Sequence, residues 1–270
     1  MLATSIQTAI LAVYLLSKVG GETNEDDLEV TVEILVILDK ELSDEIDHAF
    51  SRKRKYCEIF DEVQSIYDTL KEDGVKITIN LSGLKLTTEL KDQLFIEKPL
   101  ETKRGETFIT INTTEVMLEL YDLIEENSWN NEYDVVIFLT NKTMRSKVKT
   151  RILGYTLVSG SCNNERNLAI SRPMAERIAH EIGHQLGASN DVINMPEDIY
   201  SYVKPIRYIM SESSPVDHLK FSRSSVEQFI KFLRSPESDC LRTTNVNDTV
   251  VCWKKTPCPN FCTRFQSSTH

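Results

Sequence analysis

Apolar and polar positions alternate at the start of Leu28–Leu38 (LEVTVEILVIL) and then give way to an unbroken apolar run. This pattern predicts a β-strand that leaves the surface and becomes buried on both faces. Further on, Ile46 and Phe50, then Ile59, Val63, Ile66, Tyr67 and Leu70, recur at spacings of three and four. They predict a helical stretch from about Ser43 to Glu72, stopped by Gly74. Strands are expected at Val75–Leu81, Phe108–Asn112, Tyr133–Leu139 and Tyr155–Ser159. A helix is expected at Glu115–Glu125, with Val116, Leu120, Leu123 and Ile124 on one side. Strands alternating with helices imply an α/β fold around a twisted, mostly parallel sheet. Arg242–His270 has little periodicity and reads as a short Cys-containing tail. The basic run Arg52–Lys55 lies inside the helical pattern and is expected on a solvated helix face.

Composition narrows the class without changing the fold. The 270 residues are 40% hydrophobic and 27% charged, and 31 basic against 41 acidic residues give a net charge of -10. That balance argues against nucleic acid as a partner. No run approaches the roughly 18–20 apolar residues of a transmembrane helix, so no membrane anchor is expected. Residues 1–21 carry an apolar run from Ala9 to Leu16 followed by small residues, which reads as a secretory signal cleaved after Gly21 or Ser17. The segment has no Lys or Arg before that run, and a buried N-terminal helix is the alternative. Six cysteines (Cys57, Cys162, Cys240, Cys252, Cys258, Cys262) all lie beyond it, an even number suited to three disulfides in an oxidising compartment. Asn80, Asn112, Asn141 and Asn247 head Asn-x-Ser/Thr triplets and are candidate glycosylation sites. A secreted, extracellular monomer is expected.

The chemistry concentrates in Ser171–Asp191, SRPMAERIAHEIGHQLGASND. Ser171 is expected to cap a helix and Pro173 to sit in its first turn, with Met174, Ile178, Ile182 and Leu186 on the buried face. His180 and His184, four apart, then stack on one helix face, as two ligands of a single Zn²⁺ require. Glu181 projects beside them as the candidate catalytic acid/base, placed for a water rather than for the metal. Gly187 ends the helix and turns the chain back toward the site. His48 and His218 lie far from this segment and are read as ordinary histidines.

HEIGHQLGASND resembles the metzincin zinc signature HExxHxxGxxH, and the closing Asp191 is the mark of its adamalysin (reprolysin) branch. That branch includes secreted arthropod venom and salivary metalloproteases. YIMSES, with Met210, resembles the Met-turn beneath the metal, GYTLV resembles the edge strand, and KFSRSSVEQFIKFL resembles the C-terminal helix. The resemblance implies a catalytic domain over residues 28–241, a tail over 242–270, and a Cys162–Cys240 disulfide. It also implies a secreted metalloendopeptidase that holds one catalytic Zn²⁺ and cuts extracellular proteins or peptides by a zinc-activated water. The substrate is then expected to lie antiparallel along about Leu153–Val158.

Two features depart from the family. Asn190 stands where the third histidine ligand belongs, and an amide oxygen is a weak neutral donor for Zn²⁺. Either Asn190 or Asp191 completes a weakened site, or water replaces the ligand, or the site is empty. Asp191 otherwise has a structural role in the family, as do Gly187 and Met210. The first core strand is also expected to begin soon after the expected signal, so no inhibitory prodomain is expected between them. Both departures favour an alternative: a metal-impaired pseudoprotease acting as a binding protein or toxin component. A third reading is a non-catalytic inhibitor or toxin whose function sits in the Cys252–Cys262 tail. No cysteine pair staples the Val192–Tyr208 loop, which is expected to be held by packing.

Overall fold

A computed structural model describes residues 28–45, 49–86, 101–103, 106–108, 110–146, 152–192, 206–212 and 215–243. The expected signal, His48, Asn247, Cys252, Cys258, Cys262 and most of the Val192–Tyr208 loop lie outside the described residues.

Strand β1 (Leu28–Leu38) is buried continuously from Val32 onward. Val32, Ile34 and Val36 face one apolar cluster while Leu35 and Ile37 face another, so the unbroken run reflects a sheet covered on both sides. Asp39 then caps a short helix α1 (Lys40–Asp44), its carboxylate accepting from the Leu42 N–H at 2.8 Å. Helix α2 (Ala49–Tyr67) passes into a 3₁₀ turn, Asp68–Asp73, that ends at Gly74 with φ 72°. The expected helix from Ser43 to Glu72 is thus broken up, because the Asp39 cap starts a separate first helix before Ser43. On α2, Arg54 is exposed and pairs with Glu58, while Lys55 reaches Glu45, as a solvated face requires.

Strand β2 (Val75–Leu86) outruns its expected end and pairs parallel with β1, slipping register between Ile34 and Leu35. Glu101–Lys103 (β3) and Glu106–Phe108 (β4) form an antiparallel pair. Thr110–Asn112 (β5) leads into α3 (Thr113–Glu126), capped by the Asn112 side chain. The expected strand Phe108–Asn112 is therefore shared between β4 and β5. After α3 come α4 (Trp129–Glu132), β6 (Val135–Leu139), β7 (Thr143–Arg145), β8 (Gly154–Thr156), β9 (Leu168–Ser171), α5 (Ala175–Gln185) and α6 (Arg223–Leu233).

The main sheet runs β2-β1-β6-β9-β8, with β8 at one edge. The first four strands are parallel and β8 alone pairs antiparallel. Helices α3 and α4 cover one face through Val116, Leu120 and Trp129; α2, α5 and α6 cover the other through Tyr67, Ile178 and Phe229. Strand β9 has no counterpart among the expected strands. It takes Ser171, whose carbonyl accepts from Thr140 N at 3.1 Å, so Ser171 does not cap the helix. Met174 occupies the N-cap of α5 without a side-chain cap bond, and Pro173 precedes the helix rather than opening it. The expected strand Tyr155–Ser159 shortens to Gly154–Thr156, since Ser159 leaves the ladder to bond the His184 carbonyl at 2.8 Å.

Cys162 and Cys240 are disulfide-bonded, closing 78 residues that run from the β8–β9 connection to the segment after α6. Cys57 is also disulfide-bonded. Asn80 is buried on β2, where the folded chain has no room for a glycan. Asn112 and Asn141 are half-buried and hydrogen-bonded to Glu115 and Glu45.

Candidate active site

Helix α5 is buried along most of its length, which lets its polar residues face a shared cleft rather than solvent. Arg177, His180, Glu181 and His184 recur at spacings of three and four and line that cleft, about 700 Å³ in volume. Ile178 and Ile182 take the opposite stripe into the core. The helix ends in a left-handed Gly187 at φ 94°. There, Ala188 N–H bonds the Gly183 carbonyl and Gly187 N–H the His184 carbonyl, both at 3.0 Å.

This helix end also aims one of the imidazoles. His184 Nδ1 lies 2.6 Å from the Ala188 carbonyl, and His180 Nδ1 lies 2.7 Å from the Ile209 carbonyl. A carbonyl only accepts, so each Nδ1 carries the hydrogen and each Nε2 keeps its lone pair. The two rings sit 4.7 Å apart, nearly perpendicular. Burial pushes His180 down to about 4, with the neighbouring His184 ring adding to the shift. Burial lowers His184 as well, against the Ala188 carbonyl, Asn190 and Glu212. Both rings are therefore neutral near pH 7, the form that ligates metal.

Met210 lies directly under the helix. A Cβ on Gly183 would sit 2.5 Å from Met210 Sδ, so the missing side chain lets the sulfur reach the level of the histidines. The turn is bolted on by Ile209 through His180 and by Met210, whose carbonyl accepts from Asp191 N at 2.9 Å.

Asn190 and Asp191 diverge. Asn190 lines the cleft, its Nδ2 donating to Glu212 at 3.2 Å, while its Oδ1 is buried without a hydrogen-bond partner. Asp191 instead accepts from Ser222 Oγ at 2.5 Å and Ser225 Oγ at 3.2 Å, at the N-cap of α6. Asp191 is thus a brace between the helix end and α6. His218 is exposed and stacks on Tyr208, away from the cleft lining.

Glu181 is the most buried carboxylate of the site, and burial raises its pKa to about 8 against the opposing charge of Arg177. Its carboxylate lies against Gly154 of β8, and a Cβ there would overlap Oε1. Gln185 ties the same helix to the sheet, donating to the Arg166 carbonyl at 3.0 Å and to Thr156 Oγ1. Gly154, Gln185 and Arg177 are site residues that sequence spacing did not single out. The only advance signal for Gly154 was its place at the start of the edge-strand motif.

Among the described residues, Asp134, Cys162 and Cys240 form a cluster of the residue types that hold metals, with ligand atoms within 4.8 Å of one another. Their sulfurs are joined in a disulfide and offer no thiolate, so this cluster is no metal centre. The α5 residues fit a metal better: two neutral imidazoles with free Nε2 atoms, and an orphaned amide oxygen beside them.

A family model described as Metallo-peptidase family M12, of the reprolysin type, matches residues 29–222. The human "A disintegrin and metalloproteinase with thrombospondin motifs 19" is 25% identical over 247 residues, which is 83% of this chain and 19% of that protein. The mouse "A disintegrin and metalloproteinase with thrombospondin motifs 12" is 32% identical over 117 residues, 40% of this chain and 7% of its own. The chain thus spans less than a fifth of the length of these relatives. Among solved structures, metalloproteinase-II from Bacteroides fragilis aligns over 78% of this chain and 55% of its own, at 14% identity and a TM-score of 0.46.

Proposed function

The chain belongs to metallo-peptidase family M12, and from that premise we propose that it is a zinc-dependent endopeptidase acting on extracellular proteins or peptides. The observation that carries the reading is the pair of imidazoles on α5, each with Nδ1 bound to a carbonyl and Nε2 left for a metal. His180 and His184 would hold the ion, and the unpartnered Oδ1 of Asn190 is the donor available to complete the set. Asp191 is absent from the cleft lining and its Oδ1 is held by Ser222 and Ser225 at the start of α6, so it is not counted as a ligand although its Oδ2 is also buried without a hydrogen-bond partner. Zinc bound there supplies Lewis acidity toward a peptide carbonyl and lowers the pKa of a water.

The protein's own groups do the rest. Strand β8 offers its outer edge to an extended peptide, which main-chain hydrogen bonds would hold antiparallel. Glu181, held dry against Gly154, takes the proton from the attacking water and passes it to the leaving amine nitrogen. Met210, buried against Gly183 on the same helix as the two histidines, would supply an apolar floor for the site. The Cys162–Cys240 bond supports an oxidising, extracellular setting.

The amide at position 190 favours a second reading, in which the fold survives as a binding protein that does not turn over. Metal analysis of the purified protein, paired with cleavage of denatured casein, separates the two. One zinc per chain, with cleavage abolished in Glu181→Gln, supports the peptidase. Substoichiometric zinc at micromolar supply, with no cleavage, supports the binding protein.

A further inference from the structure

Arg177 is the one Arg or Lys among the described residues that line the cleft. It is 3% exposed, and its Nε and Nη2 are buried with no hydrogen-bond partner. Those two nitrogens form the side-on edge of the guanidinium, whose parallel N–H groups match both oxygens of one carboxylate. Glu176 beside it and Glu181, one turn along α5, act on the cation through their charge, with no hydrogen bond to its Nε or Nη2. A buried, permanently charged fork without partners is costly in an empty cleft and is compensated when an anion enters.

We infer that Arg177 is a specificity residue that recognises a carboxylate of the bound peptide, either an Asp or Glu side chain or a free C-terminus. The inference rests on the peptidase reading for its setting, although the binding step does not need turnover. Residues four apart on a helix have Cβ atoms roughly 5–6 Å apart, and an extended peptide advances roughly 3.3 Å per residue. A carboxylate on Arg177 therefore lies within one or two residues of the bond that Glu181 addresses. A single carboxylate also suits the cleft better than a doubly charged phosphate, because Glu181 and Glu212 already line it.

The test uses fluorescein-labelled decapeptide pools, randomised except for one central position fixed as Glu or as Gln, each with a free or an amidated C-terminus. Binding is read by anisotropy on the whole protein, and cleavage of the same pools is read separately by mass spectrometry. Wild-type protein should bind the Glu pool at least about tenfold more tightly than the Gln pool, or the free-acid pool more tightly than the amidated one, as a charge-assisted pair implies. In Arg177→Gln and Arg177→Met that ratio should fall to about one, while their melting temperatures stay at or above wild type because an unpaired buried charge has been removed. A side-chain preference identifies internal Asp or Glu as the source, and a terminus preference identifies the peptide end. Equal binding of all pools by wild type overturns the inference even if peptides are cut, and so does a preference that survives in both variants. Acid-selective binding without any cleavage upholds Arg177 and overturns the peptidase reading instead.

Discussion

An amide at position 190 carries no charge and cannot be made a strong zinc donor, yet its oxygen is buried and close enough to His184 to oppose the fall in that ring's pKa. Replacing it by imidazole should therefore improve a site that is otherwise complete. Asn190→His is expected to raise zinc affinity by about 100-fold, one ligand's share of a binding energy of roughly 10–16 kcal/mol. Titration against a zinc-buffering chelator reads this directly, and an unchanged constant would mean that position 190 does not face the metal. Gly154 sets the second expectation at this scale. A methyl group there meets the Glu181 carboxylate, so Gly154→Ala should cut cleavage at least about tenfold while leaving the melting temperature within a few degrees. His180, Glu181 and His184 were legible in the sequence because ligand geometry on a helix is a matter of spacing alone. Gly154 and Arg177 were not, since their roles depend on what a distant segment brings against them.

At the scale of elements, the end of α5 does several things with one short turn. It halts the helix at Gly187, returns a carbonyl to His184, and sends Asp191 across to the first turn of α6. Asp191→Ala removes the acceptor shared by Ser222 and Ser225 and leaves both hydroxyls to reorganise. A loss of about 1–2 kcal/mol in urea unfolding is expected, with zinc affinity lowered only modestly because His180 and His184 keep their carbonyls. A collapse of zinc binding in this variant would instead assign Asp191 to the metal. Sequence patterns located β1 and α5 correctly because long periodic segments announce themselves. They missed β9, whose four residues give too short an apolar run to tell strand from helix, and they misassigned Ser171 for the same reason. The early start at Lys40 was hidden because Asp39 reads equally well as a loop residue until its carboxylate is seen on Leu42.

For the molecule as a whole, buried acids link folding to pH, and Asp134 does so away from the cleft. Asp134 lies where β6 begins, its Oδ2 accepting from Glu33 N at 2.8 Å and its Oδ1 lying 3.0 Å from Cys240 Sγ. A disulfide sulfur has no hydrogen to give, so this contact does nothing to hold the carboxylate in its charged form. Burial raises this pKa to about 7 from 3.8, with the charge of Glu33 adding to the effect. The folded chain thus holds the proton more tightly than the unfolded one. The contribution to stability is complete below about pH 4 and is lost as pH rises through 7, amounting to about 2–4 kcal/mol. Melting temperatures measured from pH 4 to pH 8 should fall in wild type, and Asp134→Asn, which keeps an acceptor for Glu33 N, should fall less steeply because only the share of Glu181, also raised by burial, remains. A slope equal to that of wild type in the variant would place the titrating group elsewhere.

The reversed direction of β8 has its own consequence. Four strands of the main sheet point one way and the outermost points the other. A guest laid antiparallel on that rim travels with the majority, so the rim has a fixed polarity before any side chain is consulted. A peptide and its mirror-order sequence, equal in mass, charge and composition, are unequal visitors to such an edge: one meets the carboxyl-bearing helix in reading order, the other arrives backwards.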